Sequence, residues 1–336
     1  MNEPRRVLVT GAGGFIGHHL VNRLKAQGHR VRGVDLKYPE FEPSRADEFL
    51  ILDLRRWDNC LRATRDIDDV YALAADMGGM GFISDHHAQI LHNNILISTH
   101  TLDAARENRV RRYLYASSAC VYPEYRQQDE FIAAIREDEA YPAAPQDAYG
   151  WEKLITERLA EHYREDYGMD VRIARFHNVY GPLGTWNGGR EKAPAALSRK
   201  IAIAKISGDP EIEVWGDGEQ TRSFCYIDDC VEGLQRLMDS GYTQPVNLGR
   251  DEMVSINELV AIIARTAGVD VRLKHVDGPQ GVRGRNSENS LCRRVLGWVP
   301  QISLEEGFAL TYPWIEEQVK ATYSANEEPG SGGRSA

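Results

Sequence analysis

The chain has 336 residues, of which 42% are hydrophobic and 27% are charged, as expected of a folded globular protein with about two domains. Its formal net charge of -10 argues against the broad basic surface that binds nucleic acid or anionic membranes, so we expect neither partner. The 5 cysteines form an odd set without a C-x-x-C spacing, which argues against a disulfide framework or a bound metal.

The N-terminal segment passes from a short charged leader directly into the apolar residues 7–9. This apolar stretch is too short for the core of a signal peptide. The sequence also contains no apolar run of about 18 residues, the length of a membrane-spanning helix. We therefore expect a cytoplasmic protein.

The first predicted elements are a buried strand, a glycine-rich loop and a helix. Residues 6–10 (RVLVT) form the strand, and residues 11–17 (GAGGFIG) precede a helical pattern that runs to about Lys25. The glycines of this G-x-x-G-x-x-G loop let the backbone approach a pyrophosphate at the helix N-terminus. A glycine-rich loop out of context can be only a tight turn. The predicted cofactor contacts here are Gly11, Gly14, Phe15, Ile16 and Gly17.

A second strand ends in Asp35, about twenty residues beyond the loop, where an acid binds the adenosine ribose hydroxyls. A carboxylate there repels a 2′-phosphate and favours NAD over NADP. The alternative is a surface acid in a turn. A third strand, residues 48–52, leads to Asp53 and Leu54, which we expect beside the adenine ring. Asp53 can instead cap a helix over residues 55–64.

A fourth strand precedes a glycine-rich loop over residues 76–82 (DMGGMGF). Loops at strand ends bind ligands more often than they brace the fold, and we expect Gly78 to contact the substrate. A long helix over residues 86–108 and a fifth strand follow, and this strand leads into Ser118.

Tyr149 and Lys153 begin the next helix at positions i and i+4, which share one face of a helix. The ammonium should lower the pKa of the phenol and make it a usable base. Alone, such a pair can be two helix surface residues without a function. After a dinucleotide loop it predicts reversible oxidation of a substrate hydroxyl: Tyr149 takes the proton, Lys153 holds the cofactor ribose and Ser118 binds the same hydroxyl.

The alternation of strands and helices predicts an α/β fold, a doubly wound, Rossmann-like parallel sheet that binds NAD over residues 1–180. Asn178 lies at the carboxyl edge of this sheet and should meet the sugar or its phosphates. Residues 181–320 should form mainly a smaller C-terminal α/β domain that binds substrate and can return elements to the first domain. Residues 321–336 should be a flexible tail.

The C-terminal half contains further predicted elements. They are a loop over 183–194, a helix over 195–207, a turn over 214–218, a strand over 221–227, a helix over 228–239, a strand over 245–248, a capping box at Ser255 and a closing helix from Leu304.

Several motifs together resemble the extended short-chain dehydrogenase/reductase family, and within it the GDP-mannose 3,5-epimerases. The similarity extends to about residue 320 and lies in residues 76–82 (DMGGMGF), 117–120 (SSAC), 145–150 (PQDAYG), 175–178 (RFHN), 188–194 (GGREKAP), 215–218 (WGDG), 220–224 (QTRSF) and 282–287 (VRGRNS). The resemblance implies tightly held NAD, a GDP-mannose or related nucleotide-sugar substrate and a homodimer.

The resemblance also assigns roles to Cys120 as base and Lys192 as acid, and substrate contacts to Glu191 and Ala193. Oxidation at carbon 4 of a hexose makes a ketone, which acidifies the protons on carbons 3 and 5. Cys120 should lie on the same side of an extended strand as Ser118. Lys192 can supply the positive charge that a thiolate needs. Without the resemblance, Cys120 would be a small buried hydrophobe and Lys192 a solvated loop charge.

A diphosphate requires local positive charge, arginine being suited to bidentate contacts. We expect roughly one or two of the four candidates to form surface ion pairs instead. The candidates are Lys200, Arg222, Arg283 and Arg285. His177 should be a structural hydrogen-bonding residue.

Three alternatives remain open. A nucleotide-sugar 4-epimerase would leave Cys120 and Lys192 without a task. A 4,6-dehydratase would need a carboxylate beside Ser118, where the sequence has Ala119 and Cys120. A non-catalytic dinucleotide sensor would need only the cofactor loop.

Overall fold

A computed structural model describes residues 3–279 and 281–327 of the protein. The strands in chain order are β1 (Arg6–Thr10), β2 (Arg30–Asp35), β3 (Glu48–Ile51), β4 (Asp69–Ala72), β5 (Arg112–Ser118), β6 (Val171–Phe176), β7 (Val179–Tyr180), β8 (Glu211–Trp215), β9 (Thr221–Ser223), β10 (Cys225–Tyr226), β11 (Pro245–Leu248), β12 (Met253–Ser255), β13 (Arg272–Val276) and β14 (Gly284–Arg285). The helices are α1 (Phe15–Ala26), α2 (Trp57–Thr64), α3 (Met80–Asp85), α4 (His87–Glu107), α5 (Ala148–Tyr167), α6 (Ala193–Ser207), α7 (Ile227–Asp239), α8 (Ile256–Ala267), α9 (Ser290–Leu296) and α10 (Leu304–Glu327).

The main sheet has seven strands in the order β3-β2-β1-β4-β5-β6-β11. All of its pairings are parallel, which confirms the predicted doubly wound sheet. Val7, Leu8 and Val9 of β1 are all buried, as expected of a central strand covered by helices on both faces. The last strand, β11, lies beyond residue 180 and pairs with β6, so the C-terminal half contributes an edge strand to this sheet.

Helix α5 has clear start and stop signals. The Asp147 side chain at its N-cap accepts a hydrogen bond from Gly150 N at 2.8 Å. The helix ends at Gly168, whose φ of 68° is the left-handed conformation that favours glycine. Ser255 and Glu258 likewise form the predicted capping box at the start of α8.

A buried ion pair joins α5 to β6. Arg175 donates from Nη2 to Glu157 Oε2 at 2.7 Å and from Nε to Glu157 Oε1 at 2.9 Å. Both side chains are almost completely buried. Ser117 at the end of β5 donates to the same carboxylate, and Arg175 Nη1 donates to the Glu137 carbonyl at 2.8 Å. Three segments distant in sequence therefore meet at one carboxylate.

Two predictions for the C-terminal half are wrong. In both cases the strand bounds are set by pairing with strands that lie far along the chain. The predicted turn over residues 214–218 begins later, since Val214 and Trp215 end β8, which pairs with β13. The predicted strand over 221–227 breaks into two. Its first part pairs with β12 and β14, whereas its second part pairs with β7, and Ile227 already begins α7.

Some predicted boundaries also shift. Part of the predicted loop over residues 76–82 is helical, because α3 begins at Met80. Helix α6 begins at Ala193, inside the predicted loop over 183–194, with proline in its first turn, where a missing backbone donor costs nothing. Helix α10 continues to Glu327, so residues 321–327 of the predicted tail are helical. Residues 328–336 lie outside the described residues.

Across residues 3–279 and 281–327, no helix has the length and apolar character needed to cross a membrane. The same residues contain no group of three or more His, Cys, Asp or Glu side chains arranged to hold a metal ion.

We expect Glu157→Ala to lower the free energy of unfolding by about 3–5 kcal/mol, because it leaves the Arg175 guanidinium buried without its counter-charge. Urea unfolding followed by circular dichroism measures this loss. Asp138→Ala, which breaks an exposed pair with Arg136, is the control and should cost less than about 1 kcal/mol. Equal losses in the two variants would contradict the structural role of the buried pair.

Candidate active site

The glycine-rich loop fits a dinucleotide pyrophosphate. Gly11 has φ of 69°, and Gly14 N donates to Gly11 O at 3.1 Å, which closes a tight turn at the N-terminus of α1. A Cβ on Gly17 would lie 2.1 Å from Gly11 O, so only glycine lets the helix approach the loop this closely. Phe15 covers Gly184 with its ring, and Ile16 packs against the core.

Two acids follow the next strands. Asp35 ends β2, and its carboxylate accepts hydrogen bonds from Gly13 N at 2.9 Å and Leu36 N at 2.6 Å, which fixes it beside the loop. Asp53 does not cap the following helix, because α2 begins only at Trp57. It instead pairs with Arg55 at 2.8 Å, and the guanidinium lowers the pKa of its carboxyl. Leu54 is buried in the hydrophobic core, in one cluster with Leu52, Cys60 and Ala63.

Tyr149, Lys153 and Ser118 come together as predicted. Lys153 Nζ lies 5.5 Å from the centre of the Tyr149 ring and donates to the Ala116 carbonyl at 3.0 Å. The Ser118 side chain hydrogen-bonds Tyr149 and accepts from Cys120 N at 3.1 Å. Tyr149 and Lys153 are both buried, so water reaches neither freely.

The expected effect of Lys153 on Tyr149 is not found. Burial raises the pKa of the Tyr149 phenol well above its ordinary value, and Cys120 and Glu152 act in the same direction. The hydrogen bond from Ser118 opposes them. Burial also lowers the pKa of Lys153, against the attraction of Glu152 and Glu157. Burial therefore shifts the pKa of each group in the direction that disfavours its charged form.

Cys120 lies close to this pair, although not on an extended strand. Strand β5 ends at Ser118, and residues Ala119–Val121 form a short 3-10 helix. Cys120 still packs against the small hydrophobic cluster of Ile83, Ile90 and Tyr149, and Arg285 Nη1 lies 3.3 Å from its sulfur. The cation in contact with the thiol is thus Arg285 and not the predicted Lys192.

Lys192 is the N-cap of α6, and its charge interacts with Cys120. Lys192 is exposed as a whole residue. Desolvation of its ammonium lowers the pKa of Lys192, and the charge of Cys120 acts in the opposite direction. Glu191 Oε1 pairs with Arg199 at 2.9 Å and its Oε2 accepts from Gly189 N at 2.7 Å, so its carboxylate braces the loop. Ala193 is the first residue of α6.

The four predicted phosphate-binding cations have different environments. Arg222 donates to the Val282 carbonyl at 2.5 Å, and burial together with Arg285 lowers its pKa to about 9. Arg283 pairs with Asp217 and Glu130 and is one of the expected ion pairs. Lys200 Nζ donates to the Glu213 carbonyl at 2.7 Å.

Two further predicted substrate contacts, Asn178 and Gly78, lie against neighbouring protein groups. Asn178 Nδ2 donates to Ser223 O at 2.9 Å. Gly78 lies so close to Phe82 that an added Cβ would be 2.9 Å from that side chain. His177 is structural, as predicted: it is buried against Asn247, and burial lowers its pKa to about 3.

Two neighbours of the site, Glu152 and Arg190, were not predicted from the sequence. Glu152 is completely buried, and its Oε2 lies 3.8 Å from Lys153 Nζ. The one sequence signal for Glu152 is its position directly before Lys153. Arg190 pairs with Asp76 at 3.2 Å, and both residues lie in motifs that carried the resemblance, but the sequence did not indicate their contact.

The sequence matches one family over most of its length. The profile of the NAD dependent epimerase/dehydratase family matches residues 7–249. GDP-mannose 3,5-epimerase 1 of Oryza sativa subsp. indica is 52% identical over 321 residues, which cover 95% of this chain and 84% of that protein. GDP-mannose 3,5-epimerase of Arabidopsis thaliana is 51% identical with the same coverage.

Solved structures are similar over nearly the whole chain. A UDP-glucose 4-epimerase from Thermotoga maritima, solved with UDP-glucose, has a TM-score of 0.84 and 25% identity, covering 94% of this chain and 99% of that chain. The UDP-glucose 4-epimerase of Thermus thermophilus in complex with NAD has a TM-score of 0.80 and 26% identity, covering 92% of this chain and 98% of that chain.

We expect iodoacetamide to modify one thiol rapidly in the folded protein, that of Cys120. The other four cysteines are buried, and burial raises the pKa of each thiol, which suppresses the reactive thiolate. Mass spectrometry of timed samples counts the modified sites, and Cys120→Ala should remove the fast event. Rapid modification of a second thiol in the native protein would contradict the burial pattern.

Proposed function

Because the chain belongs to the NAD-dependent epimerase/dehydratase family, we propose that it is a GDP-mannose 3,5-epimerase that inverts carbons 5 and 3 through a carbon-4 ketone. The observation that carries the proposal is the position of Cys120. The thiol packs against Tyr149 and contacts Arg285, so a second base lies beside the oxidation site. The identity of 52% with the rice enzyme supports the same assignment.

The residues at carbon 4 act first. Bound NAD⁺ supplies a hydride acceptor and a positive charge. Tyr149 would take the proton of the substrate hydroxyl, and Ser118, which hydrogen-bonds Tyr149, would orient that hydroxyl. Lys153 Nζ donates a hydrogen bond to the Ala116 carbonyl, which fixes the side chain near Tyr149, and it would bind the cofactor ribose. Gly11, Gly14, Gly17 and Asp35 would hold the pyrophosphate and the adenosine ribose.

Inversion then uses a base and an acid. The ketone at carbon 4 lets the Cys120 thiolate take the proton of carbon 5 or carbon 3, and the electrons of the broken C–H bond form an enolate. The Lys192 ammonium gives a proton to the opposite face, which forms the new C–H bond and leaves a neutral amine. Arg285 stabilises the thiolate that starts this step.

We assign diphosphate binding chiefly to Arg222 and Arg285, with Lys200 at the edge of the site. Residues 1–180 would bind NAD and residues 181–320 would bind mainly the nucleotide sugar. Five free cysteines, four of them buried, suit a reducing compartment and support a cytoplasmic location.

A nucleotide-sugar 4-epimerase is the second candidate, favoured by the structural similarity to the Thermotoga maritima enzyme. That reaction needs only the residues at carbon 4 and gives Cys120 and Lys192 no part. A dehydratase lacks support because Ala119 and Cys120 provide no carboxylate beside Ser118.

Incubation with GDP-mannose in deuterated water distinguishes the first two candidates. We expect deuterium at carbons 3 and 5 of the recovered sugar, read by nuclear magnetic resonance, because each inversion passes through an enolate that takes a solvent-derived proton. Label at neither carbon would refute the 3,5-epimerase and leave the 4-epimerase.

Cys120→Ala tests the base directly. We expect loss of deuterium exchange with formation of reduced cofactor retained, because Tyr149, Lys153 and Ser118 remain in place. A single turnover followed by cofactor absorbance and by resonance measures both. Undiminished exchange in this variant would exclude the cysteine as base.

We also propose a homodimer that buries the outer faces of α4 and α5. Trp151 and Ile155 lie one turn apart on α5 and are 41% and 51% exposed, although both are large and apolar. Tyr163 OH donates to Asp103 at 3.2 Å and holds the two helices together.

Ile155→Glu should therefore halve the mass measured by sedimentation, because a carboxylate cannot be buried unpaired in an interface. Leu310→Glu is the control, since Leu310 is similarly exposed on α10, outside the proposed interface. A monomeric unmodified protein, or a dimer that tolerates the change at residue 155, would contradict this interface.

A further inference from the structure

Two loops of the site contact each other through Arg190. The first contains residues 76–82, and the second contains residues 188–192 and ends in Lys192. Gly79 N donates to the Arg190 carbonyl at 3.0 Å. The Arg190 guanidinium lies 3.8 Å from the centre of the Phe82 ring, and its Nη1 lies 3.2 Å from Asp76 Oδ1. Backbone, ring and carboxylate of the first loop thus all meet one residue.

The first loop is fixed to α4. Asp76 Oδ2 accepts hydrogen bonds from Asn93 at 2.9 Å and Gln89 at 3.0 Å, and Asp76 N donates to Asn94 at 2.6 Å. The Phe82 ring stacks on His86 at 4.4 Å. The Arg190 side chain therefore binds a rigid surface.

The second loop begins with two exposed glycines. Gly188 and Gly189 have φ of 92° and 84°, a conformation that favours glycine, and a Cβ on either would meet nothing within 4 Å. Glu191 forms an ion pair with Arg199 of α6. Lys192 lies two residues after Arg190 and is the N-cap of α6, so the contact with the first loop precedes the lysine and the helix follows it.

An exposed arginine pair usually contributes little to stability, and the Arg190 side chain is 49% exposed. Here the guanidinium also stacks on an aromatic ring, and the carboxylate it pairs with is 16% exposed. The contact of Arg190 with Phe82 and Asp76 is therefore better suited to orienting the loop over residues 188–192 than to stabilising the fold.

We propose that Arg190 is a positioning residue for Lys192. By joining the glycine-rich segment to the fixed loop over residues 76–82, it holds the Lys192 ammonium on the face of the sugar opposite Cys120. This inference rests on the proposed function, because it concerns the acid of the inversion step. Oxidation at carbon 4 uses Tyr149, Lys153 and Ser118 and does not depend on Arg190.

Arg190→Met tests the proposal in the full-length protein loaded with NAD and GDP-mannose. We expect the rate of inverted product to fall by roughly tenfold to a hundredfold, the scale of a small misplacement of a reacting group. Reduced-cofactor formation in a single turnover should stay at the wild-type rate, which also reports that the variant folds. Arg190→Lys, which keeps the charge, should restore part of the loss.

Two further variants sharpen the result. Arg272→Met removes an exposed arginine that pairs with Glu211, and this control should leave both rates unchanged. Asp76→Asn should slow inversion in the same way, and adding it to Arg190→Met should cause no additional loss, because the two residues act through one contact.

The possible failures are distinguishable. Inversion at the wild-type rate in Arg190→Met would overturn the positioning role alone. Parallel loss of inversion and cofactor reduction would also overturn it, since the effect would then be general. Absence of inverted product in the unmodified protein would overturn the proposed function and this inference with it.

Discussion

The ion pair between Glu157 and Arg175 is the constraint on which the catalytic geometry depends. Both side chains are almost fully buried, so neither charge has water as a substitute partner. Glu157 is one helical turn beyond Lys153, and the pair therefore fixes the rotation of α5 relative to β6. Ser117, bonded to the same carboxylate, fixes the end of β5 directly before Ser118. The tyrosine, lysine and serine of the site are set by a contact that touches none of them.

The two halves of the proposed chemistry lie on elements of different kinds, a buried helix and an exposed loop. Tyr149 and Lys153 lie on a capped helix, packed over the sheet and buried. The acid of the inversion step follows a pair of left-handed glycines, and its segment is held by side chains from neighbouring elements. A catalytic group on a loop needs such support because small displacements cost large factors in rate. Loop contacts therefore matter more for Lys192 than for Tyr149.

Features that depend on residues close together in the sequence could be predicted, whereas features that depend on contacts between distant segments could not. The turn at Gly11 and the Tyr149-Lys153 face were predictable because each is encoded within a few consecutive residues, and the parallel sheet was predictable from the alternation of strands and helices along the chain. The division of residues 221–227 between two small sheets was not, since it depends on partners as distant as residues 179 and 284. The raised pKa of Tyr149 was missed for a related reason: the helix spacing shows the lysine, but not the burial that outweighs its charge.

The same reasoning explains the distribution of positive charge in a chain of net charge -10. Desolvation lowers the pKa of Arg222 and of Lys192, and Arg285 lies close enough to both groups to lower their pKa in the same direction. Such crowding is unfavourable for the folded protein by itself, because like charges repel more strongly where water is excluded. It is offset by any anion that enters, and two anions are central to the proposed reaction: the diphosphate and the Cys120 thiolate. Arg285 Nη1 lies 3.3 Å from the Cys120 sulfur, so the same cationic cluster faces both the proposed base and the proposed diphosphate site.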